Sequence, residues 1–500
     1  MRGAGAVTAA LRLVTLVAAI VAGVAVLHHV SLVPDSDMGA SRVVPAVALA
    51  RGFPIYAGPD QGPIIDFMYG PVAAVAFLPA ALMSTPAGAL TVAVLVNLLL
   101  FFVPMAWLHR RVAGGRDVAA AALVLFVLGV LRDPGLAFSA FTIHADAPAL
   151  GLGAIACGLL ATAPRPMSGG RLAAIAFATA LAVWTKQTMA PLGAALALGV
   201  LVRDGWRPML RYVAWTAACG LVLGVLFAVA FGWTPLVFNM LTLPSRMPWY
   251  GEATNGRVGT VLFVAGLLAR LAWLPALVVA LLLLWAWRRG DDARATVHVT
   301  GLLALVAVAL APAAVLGGSK VGGYLNTFSV VSYFLVAAAT TGLAIAARAG
   351  NSARVVLAML LVIVAVGEAR GPAGLASTRA SVARLRAWGD GPHERAYRTA
   401  LAHPGEIDFP WNPLAVLLAE NRLDNSEIGA WNRDLAGVPI SDTLWRRYLP
   451  PRLRLLAFRP PSGAFTWLPA PMRRLPEFTE PGAVPGLEGW TVLAPRSTQP

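Results

Sequence analysis

A chain of 500 residues that is 58% hydrophobic and only 13% charged, with a mean hydropathy of +0.71, holds more apolar surface than one water-soluble core can take in. Its formal net charge of +15 would suit a nucleic-acid partner in a soluble domain, but much of the arginine stands in short turns between apolar runs, where it reads as membrane topology. Composition therefore excludes a soluble globule, gives no reason to invoke nucleic acid, and leaves a multi-spanning membrane protein.

In chain order, apolar runs lie near residues 8–27, 87–108, 117–133, 146–163, 172–187, 188–203, 211–232, 272–288, 296–315, 325–347 and 353–369. A hydrocarbon core needs about 20 mostly apolar helical residues, so these runs predict about eleven spans. The first lacks a clear small-x-small cleavage site before the polar loop and reads as a retained helix. Turns after alternate runs carry Arg110, Arg111 and Arg116, then Arg165 and Arg171, then Arg203, Arg207 and Arg211, then Arg288, Arg289 and Arg294, then Arg348 and Arg354. The positive-inside rule makes these turns cytoplasmic, Arg2 puts the amino terminus with them, and an odd number of spans puts the carboxyl-terminal segment outside.

The outer loop 28–86 is longer than an ordinary connection and is the first place to look for chemistry. Within it, D-S-D-M-G-A-S-R-V-V-P-A-V-A-L-A-R-G predicts a short amphipathic helix, apolar along Val43, Val44, Val47, Leu49 and Ala50, with Arg42 and Arg51 placed to reach headgroups and Gly52 as its end. A turn-rich stretch from Gly58 to Pro63 leads to I-D-F-M-Y-G-P and an apolar run over 72–83 that is too short to span and reads as a re-entrant or surface helix. The membrane domain covers 1–370. Residues 371–500, rich in charge, proline and tryptophan, predict a small soluble α/β domain with a strand near 453–458 and helices over 376–388 and 413–420. That domain has neither a nucleotide-binding glycine fingerprint nor a zinc spacing, so its expected role is accessory. Cys157 and Cys219 sit inside apolar runs and read as small core residues.

Only two of the 39 basic residues are lysine, Lys186 in T-K-Q-T and Lys320 in G-G-S-K-V-G-G-Y. The predicted topology gathers them with His28, His29, Asp35, Asp37, Asp66, His144, Asp146, Arg246 and Tyr324 at the outer interface, where ionisable groups at span ends mark a site. Each has a plainer reading beside the functional one. Asp35, Asp37 and Asp146 precede helices and suit capping, and Lys186 suits snorkelling to the interface. Lys320 lies among glycines whose amides would serve phosphate oxygens. The histidines lack a metal-ligand spacing.

The order of these features resembles the polyprenyl-phosphate-dependent glycosyltransferases of the type C membrane fold, above all the aminoarabinose transferase and protein mannosyltransferase branch. The likeness covers about residues 8–345. It implies an all-α polytopic fold with a small extracytoplasmic α/β domain at the carboxyl end. It also implies transfer of a monosaccharide, with inversion, from a polyprenyl-phosphate donor to a glycan, lipid or protein acceptor outside the cell membrane. Asp37, fifteen positions before Gly52, matches the family's catalytic aspartate and Asp146 its second outer-face acid. Lys186 matches the lysine of the T-K element, Lys320 and Tyr324 the late outer loop, and Arg246 a phosphate-binding arginine. Asp35, Arg42, Tyr69 and His144 complete the expected substrate-binding set. The chain departs from the family at Met38, where many relatives are acidic, and at Gly70, where many carry lysine. Asp35 and Arg246 are the expected substitutes. No cofactor is implied, although two carboxylates in one loop would accept a divalent cation. A secondary transporter or lipid flippase is the alternative activity, and a noncatalytic anchoring protein a third.

Overall fold

The computed structural model describes residues 2–290, 294–323, 325–459 and 477–496. In chain order its helices are α1 (Arg2–Ser31), α2 (Asp37–Ala50), α3 (Pro71–Ala76), α4 (Pro86–Val112), α5 (Arg116–Arg132), α6 (Pro134–Phe141), α7 (Asp146–Ala161), α8 (Gly169–Thr185), α9 (Pro191–Asp204), α10 (Trp206–Phe231), α11 (Trp233–Val237), α12 (Leu243–Arg246), α13 (Glu252–Arg289), α14 (Arg294–Gly318), α15 (Ser329–Ala349) and α16 (Asn351–Ala369). Every predicted apolar run lies on one of them. Among the described residues, seven helices are long and apolar enough to cross a membrane, and the bent pair α5–α6 makes an eighth. This helical part of the fold is all-α and polytopic.

The remaining runs form α7, α8 and α9, of 16, 17 and 14 residues, shorter than full spans. Their shortness has local causes. Lys186 takes an extended conformation that stops α8, and Pro191 at the first position of α9 cannot donate into a preceding helix. One expectation falls short in the other direction: α13 begins at Glu252, twenty residues before the run read from the sequence, with a kink at Gly256 where φ is +65°. Arg270 interrupts the hydropathy there without interrupting the helix. Over 72–83 the chain forms α3 and a 3-10 segment, Leu78–Leu82, neither long enough to span.

The chain divides into two compact units. The first comprises Met1–Ser31, Asn97–Leu223 and Trp249–Val382. Its core is α15, which packs against α5, α13, α14 and α16. Of an 18-residue apolar window within Leu325–Ala349, 94% is buried, whereas none of the corresponding window of α10 is. Two helices of similar apolarity thus have opposite environments, protein for one and lipid for the other. The small residues Ala337, Ala338, Ala339, Thr340 and Thr341 let neighbours approach α15 closely, which is how helices associate where water gives no hydrophobic drive.

The second unit comprises Leu32–Val96, Gly224–Pro248 and Ala383–Pro500. Its carboxyl-terminal part carries α18 (Pro392–Ala402), α19 (Pro413–Glu420), α20 (Glu427–Leu435), α21 (Asp442–Arg446) and, just before it in the chain, α17 (Thr378–Arg386). A four-stranded sheet runs in the order β1 (Ile407–Asp408), β2 (Leu455–Phe458), β4 (Thr491–Pro495), β3 (Phe478–Pro481). β1 and β2 are parallel, and β4 pairs antiparallel with β2 and β3. Alternation along β2 sends Ala457 to a core with Phe409 and Trp411, and Leu456 and Phe458 to one with Trp445 and Ile64. Ile64 belongs to the outer loop, so that loop and the carboxyl-terminal residues share one core. Backbone accounting agrees: Ser426 N–H donates to Ile64 O at 2.6 Å, and Asn425 Oδ1 accepts from Ile64 N–H at 2.9 Å. Buried Arg433 donates to the carbonyls of Ala57, Gly58, Pro59 and Gln61.

Candidate active site

In the first unit three helix ends and one turn meet on Asp146. The break that begins this arrangement is R-D-P: Pro134 cannot continue α5, the chain turns by 105°, and Asp133 caps α6 by accepting from the Gly135 and Leu136 amides at 2.9 and 3.0 Å. The turn carries Ser139 toward Asp146, the first residue of α7. Asn97 of α4 secures it by donating to the Ser139 and Ala140 carbonyls at 3.1 and 2.8 Å.

Asp146 is completely buried. Its Oδ1 accepts from the Lys186 ammonium. Its Oδ2 accepts from Asn326 Nδ2 at 2.8 Å and from Ser139 Oγ at 3.1 Å, and lies 2.7 Å from His144 Nδ1. A bare imidazole nitrogen that close to a carboxylate oxygen would set lone pair against lone pair, so Nδ1 carries the proton and donates. With four donors around it, Asp146 is an orienting acceptor and no helix cap: the cap position is Ala145, and Asp146 is already inside the helix. Lys186, 5% exposed, does not snorkel. It closes a buried ion pair, and Asp146 occupies one of the three donors an ammonium offers.

Lys320 follows the C-terminus of α14 on the loop that also supplies Asn326. The loop folds back tightly at Gly323, where a Cβ would come within 2.2 Å of the Gly317 carbonyl oxygen. Lys320 pairs with Trp249 in an isolated antiparallel bridge, and its Nζ lies 4.5 Å from the centroid of the Trp249 ring. Burial, and then the nearby Arg257 guanidinium, hold the Lys320 pKa below its ordinary value against the pull of Glu252. Arg257 is itself tied to Glu252 at 2.7 Å.

The second unit holds the remaining candidates. Asp37 is the first residue of α2, behind Ser36 at the cap, and Asp35 ends the preceding 3-10 turn. The side chains of both lie outside the described residues, as does the whole of Tyr324. Arg42, one turn along α2 from Asp37, reaches Asp66 at 3.3 Å and lies 5.1 Å from the centre of the Tyr69 ring. Asn432 of α20 donates to the other Asp66 oxygen at 3.0 Å. Tyr56 is buried, with its hydroxyl donating to the Tyr69 carbonyl at 2.6 Å. Arg246 ends α12, exposed and without an ion pair among the described residues.

Sequence reasoning therefore found Asp146, Lys186 and His144 but not Ser139, Asn326, Asn97 or Asn432, the neutral groups that hold the carboxylates. Their signal is weak: each is a lone polar residue in or beside an apolar stretch. Among the described residues no group of three His, Cys, Asp or Glu side chains is placed to hold a metal ion.

No protein-family profile matches this sequence, and no curated protein does. Solved structures do match. The crystal structure of ArnT from Cupriavidus metallidurans bound to undecaprenyl phosphate aligns over 97% of this chain and 98% of its own, with a TM-score of 0.54 at 15% identity. The apo structure of the same protein aligns over 92% and 93%, with a TM-score of 0.52 at 14% identity. The chain thus has the fold of the type C membrane glycosyltransferases.

Proposed function

We propose that the protein is an integral-membrane glycosyltransferase that moves one monosaccharide from a polyprenyl-phosphate donor to an acceptor on the outer face of the cell membrane. The observation that carries this reading is the end-to-end fold correspondence with a structure described as bound to undecaprenyl phosphate. The ordered sequence features, read without that structure, point the same way.

In the proposed reaction an acceptor hydroxyl attacks the anomeric carbon, the bond from that carbon to the phosphate oxygen breaks, and polyprenyl phosphate leaves with the electron pair. Asp37 takes the hydroxyl proton. One displacement inverts the anomeric centre. Negative charge grows on the leaving phosphate, and Lys186, Lys320 and Arg246 are the cations assigned to stabilise it. Asp146 fixes the Lys186 ammonium in direction and so acts as a positioning residue. The placement of that ammonium, against a carboxylate that is itself held by three other donors, supports an electrostatic role that needs little reorganisation during reaction.

The test is to offer the purified protein in lipid nanodiscs a panel of polyprenyl-phosphate sugars and to measure released polyprenyl phosphate. Turnover of one donor is expected, with Asp37→Asn slowing it by roughly 10²- to 10⁴-fold, the usual worth of a general base. Movement of lipid between leaflets without phosphate release would replace this reading with the flippase. Turnover unaffected by Asp37→Asn would remove Asp37 from the reaction.

A further inference from the structure

At the ends of the first unit's helices that bear the arginine-rich turns, the structure forms a half-open cavity of about 390 Å³. Trp107 and Arg111 near the end of α4, Thr162 after α7, Arg171 of α8, and Ile345 and Arg348 of α15 form its wall. Three guanidinium groups face this space, and no carboxylate is among the described residues lining it. The first is fixed: Arg171 donates to Thr162 Oγ1 at 2.8 Å and to the Leu159 carbonyl at 3.1 Å, which satisfies acceptors at the C-terminal end of α7. Arg111 and Arg348 are different. Both are exposed and make no hydrogen bond or ion pair among the described residues. The Arg348 stem is nevertheless held, because it packs over Gly114 so closely that a Cβ there would come within 2.7 Å of its Cδ.

Two guanidiniums without an ion pair among the described residues, beside a third at the end of a helix bundle, suit an anion, and planar guanidinium forks match phosphate oxygens. The rest of the wall is apolar, through Trp107 and Ile345, which a free inorganic anion would not use. We propose that this cavity binds an anionic glycerophospholipid, its phosphate against Arg111 and Arg348 and its first acyl carbons along Trp107 and Ile345. Basic pockets between membrane helices take such headgroups by the same combination of charge and apolar wall. The bound lipid ties together the ends of α4, α7, α8 and α15. The site is separate from the donor phosphate of the proposed reaction and does not rest on it.

Delipidated full-length protein in detergent, offered an equal mixture of phosphatidylglycerol and phosphatidylcholine and read by native mass spectrometry, tests the proposal. The wild type is expected to retain phosphatidylglycerol in preference. The double variant Arg111→Met/Arg348→Met keeps both unbranched stems and should retain roughly ten- to thirtyfold less of it, the effect of removing two charges near an anionic headgroup. Arg207→Met/Arg211→Met removes two exposed arginines from the start of α10, outside the cavity, and should leave retention unchanged. Equal retention of the two lipids by the wild type, or equal loss in both double variants, would mean general attraction of the surface and would overturn the site. Release of the lipid by millimolar inorganic phosphate would overturn it in favour of a small-anion site.

Discussion

Asp146 and Lys186 stand 40 positions apart, yet they form a buried ion pair whose two charges depend on each other. Breaking such a pair from one side leaves an uncompensated charge, which costs about 3–5 kcal/mol, whereas removing both members costs much less. Asp146→Asn and Lys186→Met should each lower thermal stability strongly, and the double variant should lie well above the sum of the two losses in a double-mutant cycle. Additive losses would mean that the pair contributes nothing as a pair. Activity separates the roles: the double variant, stable again, should remain inactive if the Lys186 ammonium meets the donor phosphate. The sequence marked both residues because a charge at the end of an apolar run is costly and rare. It did not reveal the pairing, since capping and snorkelling explain each residue alone, and only the chain reversal between α7 and α8 brings Lys186 back to the start of α7. Ser139 and Asn326 were illegible for another reason. A neutral polar residue carries no penalty large enough to stand out until its partner is known.

Elements were legible where one physical signal dominated. The helix over 413–420 and the strand near 453–458 appear where composition put them, as α19 and β2, and Gly52, at a φ of +79°, follows the end of α2 as a helix terminator should. Arg270 hid half of α13 because hydropathy was the only signal read there. Nothing in the sequence showed that the turn between α19 and α20 would bury acids beside β1. Asp408 and Asp424 are both buried there, with Arg422 paired to Asp424 and to Glu420, and with Glu427 nearby. Burial pushes Asp424 from its ordinary 3.8 up to about 7 despite Arg422, and burial with the neighbouring Asp424 raises Asp408 as well. A carboxyl whose pKa is raised by folding binds its proton more tightly in the folded state. Its stabilising contribution is complete below the ordinary carboxylate pKa and is lost as pH rises through about 7. The melting temperature of the wild type relative to Asp424→Asn should therefore fall as pH rises from about 4 to about 8. A difference that stays flat or rises over that range would contradict the buried, protonated state.

For the whole molecule, the helix count and the arginine distribution together predict an orientation in the membrane. If α7, α8 and α9 cross along with α1, α4, the α5–α6 pair, α10 and α13 to α16, the described helices make eleven crossings and the two chain ends fall on opposite sides. Exposed Arg110, Arg111, Arg116, Arg165, Arg207, Arg288 and Arg348 all lie in turns that this count assigns to the side of the amino terminus. Arginine is retained on the cytoplasmic side, so the carboxyl-terminal residues should face outward, where a lipid-linked sugar would meet its acceptor. The short helices α7 to α9 matter here: if one of them failed to cross, every later turn would change sides and the arginines would be divided between the two faces. A single cysteine placed in a chain carrying Cys157→Ala and Cys219→Ala decides the matter. Gly115→Cys sits in the turn after α4, where an added Cβ meets nothing within 4 Å, and Thr443→Cys sits exposed on α21. A membrane-impermeant maleimide applied to intact cells should label the second and reach the first only after the membrane is opened. The reverse pattern would put the arginine-rich turns outside, against the charge rule. Labelling of neither position in intact cells would mean that one of the short helices turns back within the bilayer and does not cross it.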